Sequence, residues 1–118
     1  MDTSYLEITQ ELSQVLSEFR RGAPDVAKGF SALAQGAMKE GVVSKKTKEL
    51  IALALGVAKG CDGCIGFHAK ALVDLAATRE EVLETLGVAV YMGGGPSLMY
   101  AAMGLKAFEE FASQRKTG

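Results

Sequence analysis

The residues with the most chemistry to offer sit together. Both cysteines of the chain, Cys61 and Cys64, and its sole histidine, His68, fall in the run CDGCIGFH. If a helix begins near Cys61 and continues through Ala76, each residue advances it by about 100°. Cys64 then lies about 300° from Cys61, and His68 about 40° beyond Cys64. Positions i, i+3 and i+7 share one face, so two sulfurs and an imidazole line a single stripe within two turns. The first thiol falls at a helix N-terminus, where unpaired N–H groups and the macrodipole favour negative charge. The thiolate is the reactive form of cysteine, and C-x-x-C motifs at helix starts favour it. His68 can take or return a proton near neutral pH. These parts suit dithiol–disulfide chemistry assisted by a base.

Other readings of the same residues stand beside this one. Cys61 and Cys64 could be two small buried hydrophobes, as free cysteine often is. Two cysteines and a histidine could also be three zinc ligands, but structural zinc takes four. With no second C-x-x-C and no second histidine, Glu49 or Asp62 would have to complete the shell. Covalent haem attachment needs histidine directly after the second cysteine, and that position is Ile65. No cofactor and no metal are therefore expected.

The elements that must hold the stripe are all helical in pattern. Tyr5 to Arg20 carries Leu12, Val15, Leu16 and Phe19 at helical spacing, ended by Arg21-Gly22. Pro24 suits a first helical turn. The segment from Pro24 to Lys39 then places Val26, Phe30, Leu33, Ala34, Ala37 and Met38. Ser44 is an N-cap candidate for a third helix over Lys45 to Lys59. That helix is apolar on every side from Leu50 to Ala58, the mark of a buried one, and Gly60 would close it in a left-handed conformation. A fourth runs from about Cys61 to Ala76. Thr78-Arg-Glu-Glu81 reads as a capping box for a fifth, with Val82, Leu83, Leu86, Val90 and Tyr91 inward. Gly93 to Gly95 break it, and Pro96 opens a sixth carrying Leu98, Met99, Ala102, Leu105, Phe108 and Phe111. Gln114 to Gly118 is a polar tail expected to fray. The glycine run before Pro96 lacks the Lys-Ser/Thr signature of an anion cradle and reads as a turn between helices. The expectation is an all-α, six-helix bundle forming one domain over residues 1–118.

Composition limits the partners. The 118 residues are 48% hydrophobic and 23% charged, with a net charge of −1. That is the composition of a globular domain, with no basic excess to attract nucleic acid or an anionic membrane surface. No run of apolar residues is long enough for a transmembrane helix. The N-terminus shows no basic region followed by an apolar core, so no secretory signal is expected and a cytoplasmic location is. In a reducing cytosol a C-x-x-C pair is catalytic or metal-binding more often than a structural staple.

Taken jointly, these motifs resemble the alkylhydroperoxidase D and carboxymuconolactone decarboxylase superfamily. The resemblance rests on the Lys48-Glu-Leu-Ile-Ala-Leu-Ala helix, Gly60-Cys61-Asp-Gly-Cys64, His68 with Ala71 beyond it, Thr78-x-x-Glu81-Val82 and Met92-Gly-Gly-Gly-Pro96. It spans roughly Pro24 to Phe111. The redox branch resembles Glu-x11-Cys-x2-Cys-x3-His, which falls here on Glu49, Cys61, Cys64 and His68. The resemblance implies a thiol peroxidase or disulfide reductase acting on a hydroperoxide, restored by a thiol or dithiol reductant. In it, Glu49 and His68 relay protons. On its own, Glu49 could equally be a first-turn carboxylate favoured by the macrodipole, or a partner for Lys45 or Lys46. The family implies Cys64 as the attacking thiol and Cys61 as its partner, whereas the helix-start argument favours Cys61, so the order is open. The family's peroxidase pattern can also carry a histidine between the cysteines, where this chain has Asp62 and Gly63. The family further implies homo-oligomers, trimers or hexamers. Its decarboxylase branch, acting on a lactone of aromatic catabolism, is the alternative enzyme. A non-enzymatic redox-sensing or metal-binding module is the alternative outside catalysis.

Overall fold

The computed structural model describes residues 4–117. Six helices follow one another: α1 (Tyr5–Gly22), α2 (Pro24–Met38), α3 (Lys45–Lys59), α4 (Asp62–Asp74), α5 (Arg79–Gly93) and α6 (Gly95–Thr117). There is no strand among the described residues. The helix starts are made by short polar side chains. Ser4 accepts from the Glu7 N–H and Ser44 from the Thr47 N–H, each taking up a donor that the first turn leaves unpaired. Thr78 and Glu81 form a full capping box, with the Thr78 N–H donating to Glu81 Oε1 at 2.8 Å and the Glu81 N–H to Thr78 Oγ1 at 3.1 Å. Lys46 Nζ of α3 adds an ion pair with Glu81 Oε2 at 2.9 Å.

The core lies between α3, α4, α5 and α6. Leu53 and Val57 of α3 meet Ile65, Ala69 and Leu72 of α4, Val82 and Leu86 of α5, and Phe108 and Phe111 of α6. The N-terminal turn of α1 closes one end. Tyr5 is fully buried there, its backbone N–H donating to Glu110 Oε1 of α6 at 2.7 Å. Close approach between α1 and α4 depends on Gly66. A Cβ at that position would stand 2.5 Å from Thr9 Cγ2 and 3.4 Å from Tyr5 Cδ1.

Several sequence expectations change here. The fourth helix is shorter than Cys61 to Ala76. Cys61 is its cap, and Ala76 adopts a left-handed φ of 59°. The Ala77 N–H then reaches back to Leu72 O at 2.9 Å and the Ala76 N–H to Val73 O at 3.1 Å. This is the bonding of a Schellman stop, with alanine where glycine is usual. The sixth helix starts one residue early, at Gly95, and runs through Thr117 where a fraying tail was expected; Gly118 lies outside the described residues.

The apolar stripes of α1 and α2 do not face this core. Val15, Phe19, Val26 and Leu33 are exposed, and Phe30 is 69% exposed. No residue of α2 is buried, and it packs only against α1 and α3. On α3, Ile51 and Leu55 point outward, so that helix is buried on one face and not all round. Leu83 and Tyr91 of α5, and Leu98 and Met99 of α6, also turn away from the core.

Two predictions follow from this packing. Gly66→Ala should force α1 away from α4 and cost about 1–3 kcal/mol, as overpacking does, read from urea denaturation. Glu81 is held below its ordinary value of 4.5, first by the Thr78 backbone N–H and then by Lys46. A lowered carboxylate contributes stability that is present above its unfolded value and lost as pH falls through the folded one. The urea midpoint should therefore decline as pH drops below about 4.5, and Glu81→Gln should flatten that decline.

Candidate active site

The site is built on the α3–α4 hairpin. Gly60, at φ 66°, turns the chain in the left-handed conformation that glycine adopts without strain. A Cβ there would also stand 3.1 Å from the Tyr100 ring, so α6 lies directly on the turn. One turn back, a Cβ on Gly56 would stand 3.1 Å from Cys64 Cβ. The two glycines let the helices approach at the level of the cysteines.

Cys61 and Cys64 are joined as a disulfide, with their Cα atoms 5.2 Å apart. Cys61 is the N-cap of α4, and its sulfur accepts the Cys64 N–H at 3.2 Å. A sulfur thus takes the place that a serine or threonine oxygen usually fills. Both cysteines are half-buried. His68 lies one turn beyond Cys64, on the same face of α4.

Glu49 comes from the first turns of α3. It shares the buried face of that helix with Leu53, Gly56 and Val57, and is only 7% exposed. Its Oε1 lies 2.6 Å from His68 Nδ1. A carboxylate accepts, so Nδ1 carries the shared hydrogen and Nε2 is left to exchange a proton with something else. A buried carboxylate with no partner would be costly. Here the imidazole supplies the partner, and no buried polar side-chain atom among the described residues lacks one.

The segment between the cysteines has its own support. The Tyr5 hydroxyl donates to Asp62 Oδ1 at 2.9 Å. A Cβ on Gly63 would come within 2.7 Å of Leu12 Cδ1, so any side chain there requires the Leu12 side chain to shift. Beside Asp62 opens a largely apolar cavity of about 680 Å³, lined by Ile8, Asp62, Met99, Tyr100 and Met103. Tyr5 and Tyr100 were not legible as site residues. Tyr5 is separated from Asp62 by 57 positions, and nothing in the local pattern connects them. Tyr91, expected on the inward face of the fifth helix, is 84% exposed. Among the described residues, no three of His, Cys, Asp and Glu are grouped so as to hold a metal ion. Nor is any described helix long and apolar enough to cross a membrane.

Comparison with known proteins agrees with the all-helical fold. Residues 24–107 match the model of the carboxymuconolactone decarboxylase family. An uncharacterised protein of Cupriavidus necator is 36% identical over 99 residues, covering 84% of this chain and 88% of its own length. The alkyl hydroperoxide reductase AhpD of Mycobacteroides abscessus is 40% identical over 52 residues, 44% of this chain and 30% of that protein. Among solved structures, an apo carboxymuconolactone decarboxylase family protein of Legionella pneumophila superposes with a TM-score of 0.90. It is 63% identical, over 92% of this chain and 96% of that one. A Thermotoga maritima family protein, for which involvement in an antioxidative response has been suggested, gives 0.78. Its identity is 29%, over 97% of this chain and 94% of that one.

The Glu49 contact makes a spectroscopic prediction. In alkaline solution the ¹⁵N shifts of His68 should report the Nδ1–H tautomer, and Glu49→Ala should release the ring to the Nε2–H form. Finding Nε2–H in the wild-type protein would contradict the hydrogen-bond direction assigned here.

Proposed function

Because the chain belongs to the carboxymuconolactone decarboxylase family and pairs its two cysteines beside a histidine–carboxylate couple, we propose that it is a dithiol peroxidase. Its substrate is a hydroperoxide, and its four working residues are Cys61, Cys64, His68 and Glu49. The single observation that carries the reading is the Cys61–Cys64 disulfide one helical turn from a His68 ring held by Glu49.

The cycle begins with the reduced dithiol. One thiol passes its proton to His68 Nε2, the resulting thiolate attacks an oxygen of ROOH, the O–O bond breaks, and the sulfur becomes a sulfenic acid. The departing alkoxide takes a proton from His68 Nε2 and leaves as ROH. The second thiol gives its proton to that nitrogen and attacks the sulfenic sulfur, and the expelled hydroxide takes that proton and leaves as water as the disulfide closes. An external thiol or dithiol then restores both S–H groups by exchange. Glu49 keeps the imidazole oriented through both proton transfers. The two sulfurs have different duties. Cys61 has the capping N–H to stabilise negative charge, and Cys64 stands nearer the ring along the helix. On that basis Cys61 is the sulfur whose thiolate forms more readily.

The cavity beside Asp62 is walled mainly by apolar side chains, which supports an organic hydroperoxide over hydrogen peroxide. The exposed apolar faces of α1 and α2 support assembly of several copies, a trimer or hexamer in this reading. Residues of that hairpin would then pack between subunits.

The test is peroxide consumption by the reduced protein. One disulfide should form for each peroxide reduced, with dithiothreitol sustaining turnover. Cys61→Ser and Cys64→Ser should each abolish turnover. His68→Ala and Glu49→Gln should lower it by about a hundredfold or more, as loss of acid–base help does. Turnover unchanged after both thiols are alkylated would overturn the reading and leave acid–base chemistry on the same scaffold.

A further inference from the structure

Asp62 carries the one side chain of substance between the two cysteines in the sequence, since its neighbour is Gly63. It stands at the first position of α4, directly after Cys61 and two residues before Cys64. An acidic residue there stabilises the helix through the macrodipole, and by itself that would be an ordinary surface role. What is not ordinary is its partner. Tyr5, fully buried, reaches from α1 to donate its hydroxyl to Asp62 Oδ1 at 2.9 Å. Tyr5 is itself fixed by its N–H on Glu110 and by the packing of its ring against Gly66. Burial first, then the Asp62 hydrogen bond, raises the Tyr5 hydroxyl well above its ordinary value. It therefore stays a neutral donor and adds no charge. The carboxylate of an exposed residue is thus held at the start of α4 when it could otherwise swing into water.

We propose that Asp62, anchored by Tyr5, is a positioning residue that sets the redox poise of the Cys61–Cys64 pair. The proposal rests on reading that pair as a redox couple. The couple exchanges two electrons and two protons: a dithiol gives up both to an oxidised partner and becomes the disulfide. Stabilising a thiolate stabilises the reduced side and makes a C-x-x-C pair more oxidising. The Cys64 N–H at the Cys61 sulfur and the N-terminus of α4 both push that way. A fixed negative charge on the turn that joins the two cysteines pushes against them. Asp62 therefore offsets the helix start and keeps the dithiol a stronger electron donor than the bare hairpin would make it.

Asp62→Asn isolates the charge, because its amide oxygen can still accept from Tyr5. The protein is equilibrated in dithiothreitol and glutathione redox buffers, and its dithiol fraction is read by mass-resolved alkylation. In the variant the equilibrium should move toward the dithiol by roughly threefold to tenfold, a rise in potential of about 14–30 mV. Cys61 should be alkylated at lower pH than in the wild type. Asp62→Glu should restore the wild-type poise. Tyr5→Phe should shift it in the same direction as Asp62→Asn, but less, as the carboxylate moves into solvent. Added salt should narrow the gap between wild type and Asp62→Asn. A purely helix-stabilising Asp62 would change the urea midpoint and leave the equilibrium and the alkylation profile where they were, and that result overturns the proposal. So does a shift toward the disulfide. These readouts need no peroxide. A wild-type protein that cycles between dithiol and disulfide but consumes no hydroperoxide would sink the peroxidase reading and leave this one standing. A wild-type disulfide that cannot be reduced and re-formed would sink both.

Discussion

The approach of α3 to α4 at Gly56 and Cys64 is the constraint on which the site depends. With no side chain at residue 56, the backbone of one helix rests against the cysteine of the next. The left-handed turn at Gly60 permits that approach, and Tyr100 presses on the turn from α6. From this junction the buried face of α3 runs back through Leu53 to Glu49, within reach of His68. A bulkier residue at 56 would separate the sulfurs' helix from the helix that carries the acid.

Packing and polarity are matched along this face. Glu49 is an acid on a stripe otherwise formed by leucine, glycine and valine, a placement that hydrophobic burial alone disfavours. Its hydrogen bond to His68 offsets that cost and holds the ring at the same time. The apolar neighbours also keep water from competing for the carboxylate. The same arrangement that makes Glu49 tolerable in the fold makes the imidazole a fixed and not a rotating base.

Much of this architecture was legible in the chain. The ends of α3, its glycine cap and the Thr78–Glu81 capping box follow from local hydrogen bonding, and local signals suffice to place them. The close of α4 was not legible, because Ala76 takes a conformation for which glycine is the usual cue. Periodicity found the apolar stripes of α1 and α2 but could not say what they face. Val15, Phe19 and Phe30 belong to those stripes and are exposed. Spacing put Cys61, Cys64 and His68 on one stripe, whereas Glu49 was singled out as a proton-relay residue only through family resemblance, since a glutamate near a helix start has commoner uses. The link from Tyr5 to Asp62 joins residues 57 positions apart in the chain and has no local signature.

The Glu49–His68 contact spans only 19 positions, and both cysteines fall between them. Every proposed reacting group is therefore carried by one helical hairpin, whose closure costs little entropy compared with pairing distant segments. The other helices hold that hairpin and shape its surroundings without lending a reacting atom. Such an arrangement is portable. Outer surfaces, quaternary contacts and the pocket wall can be redrawn by mutation while the chemistry travels unaltered as a short cassette.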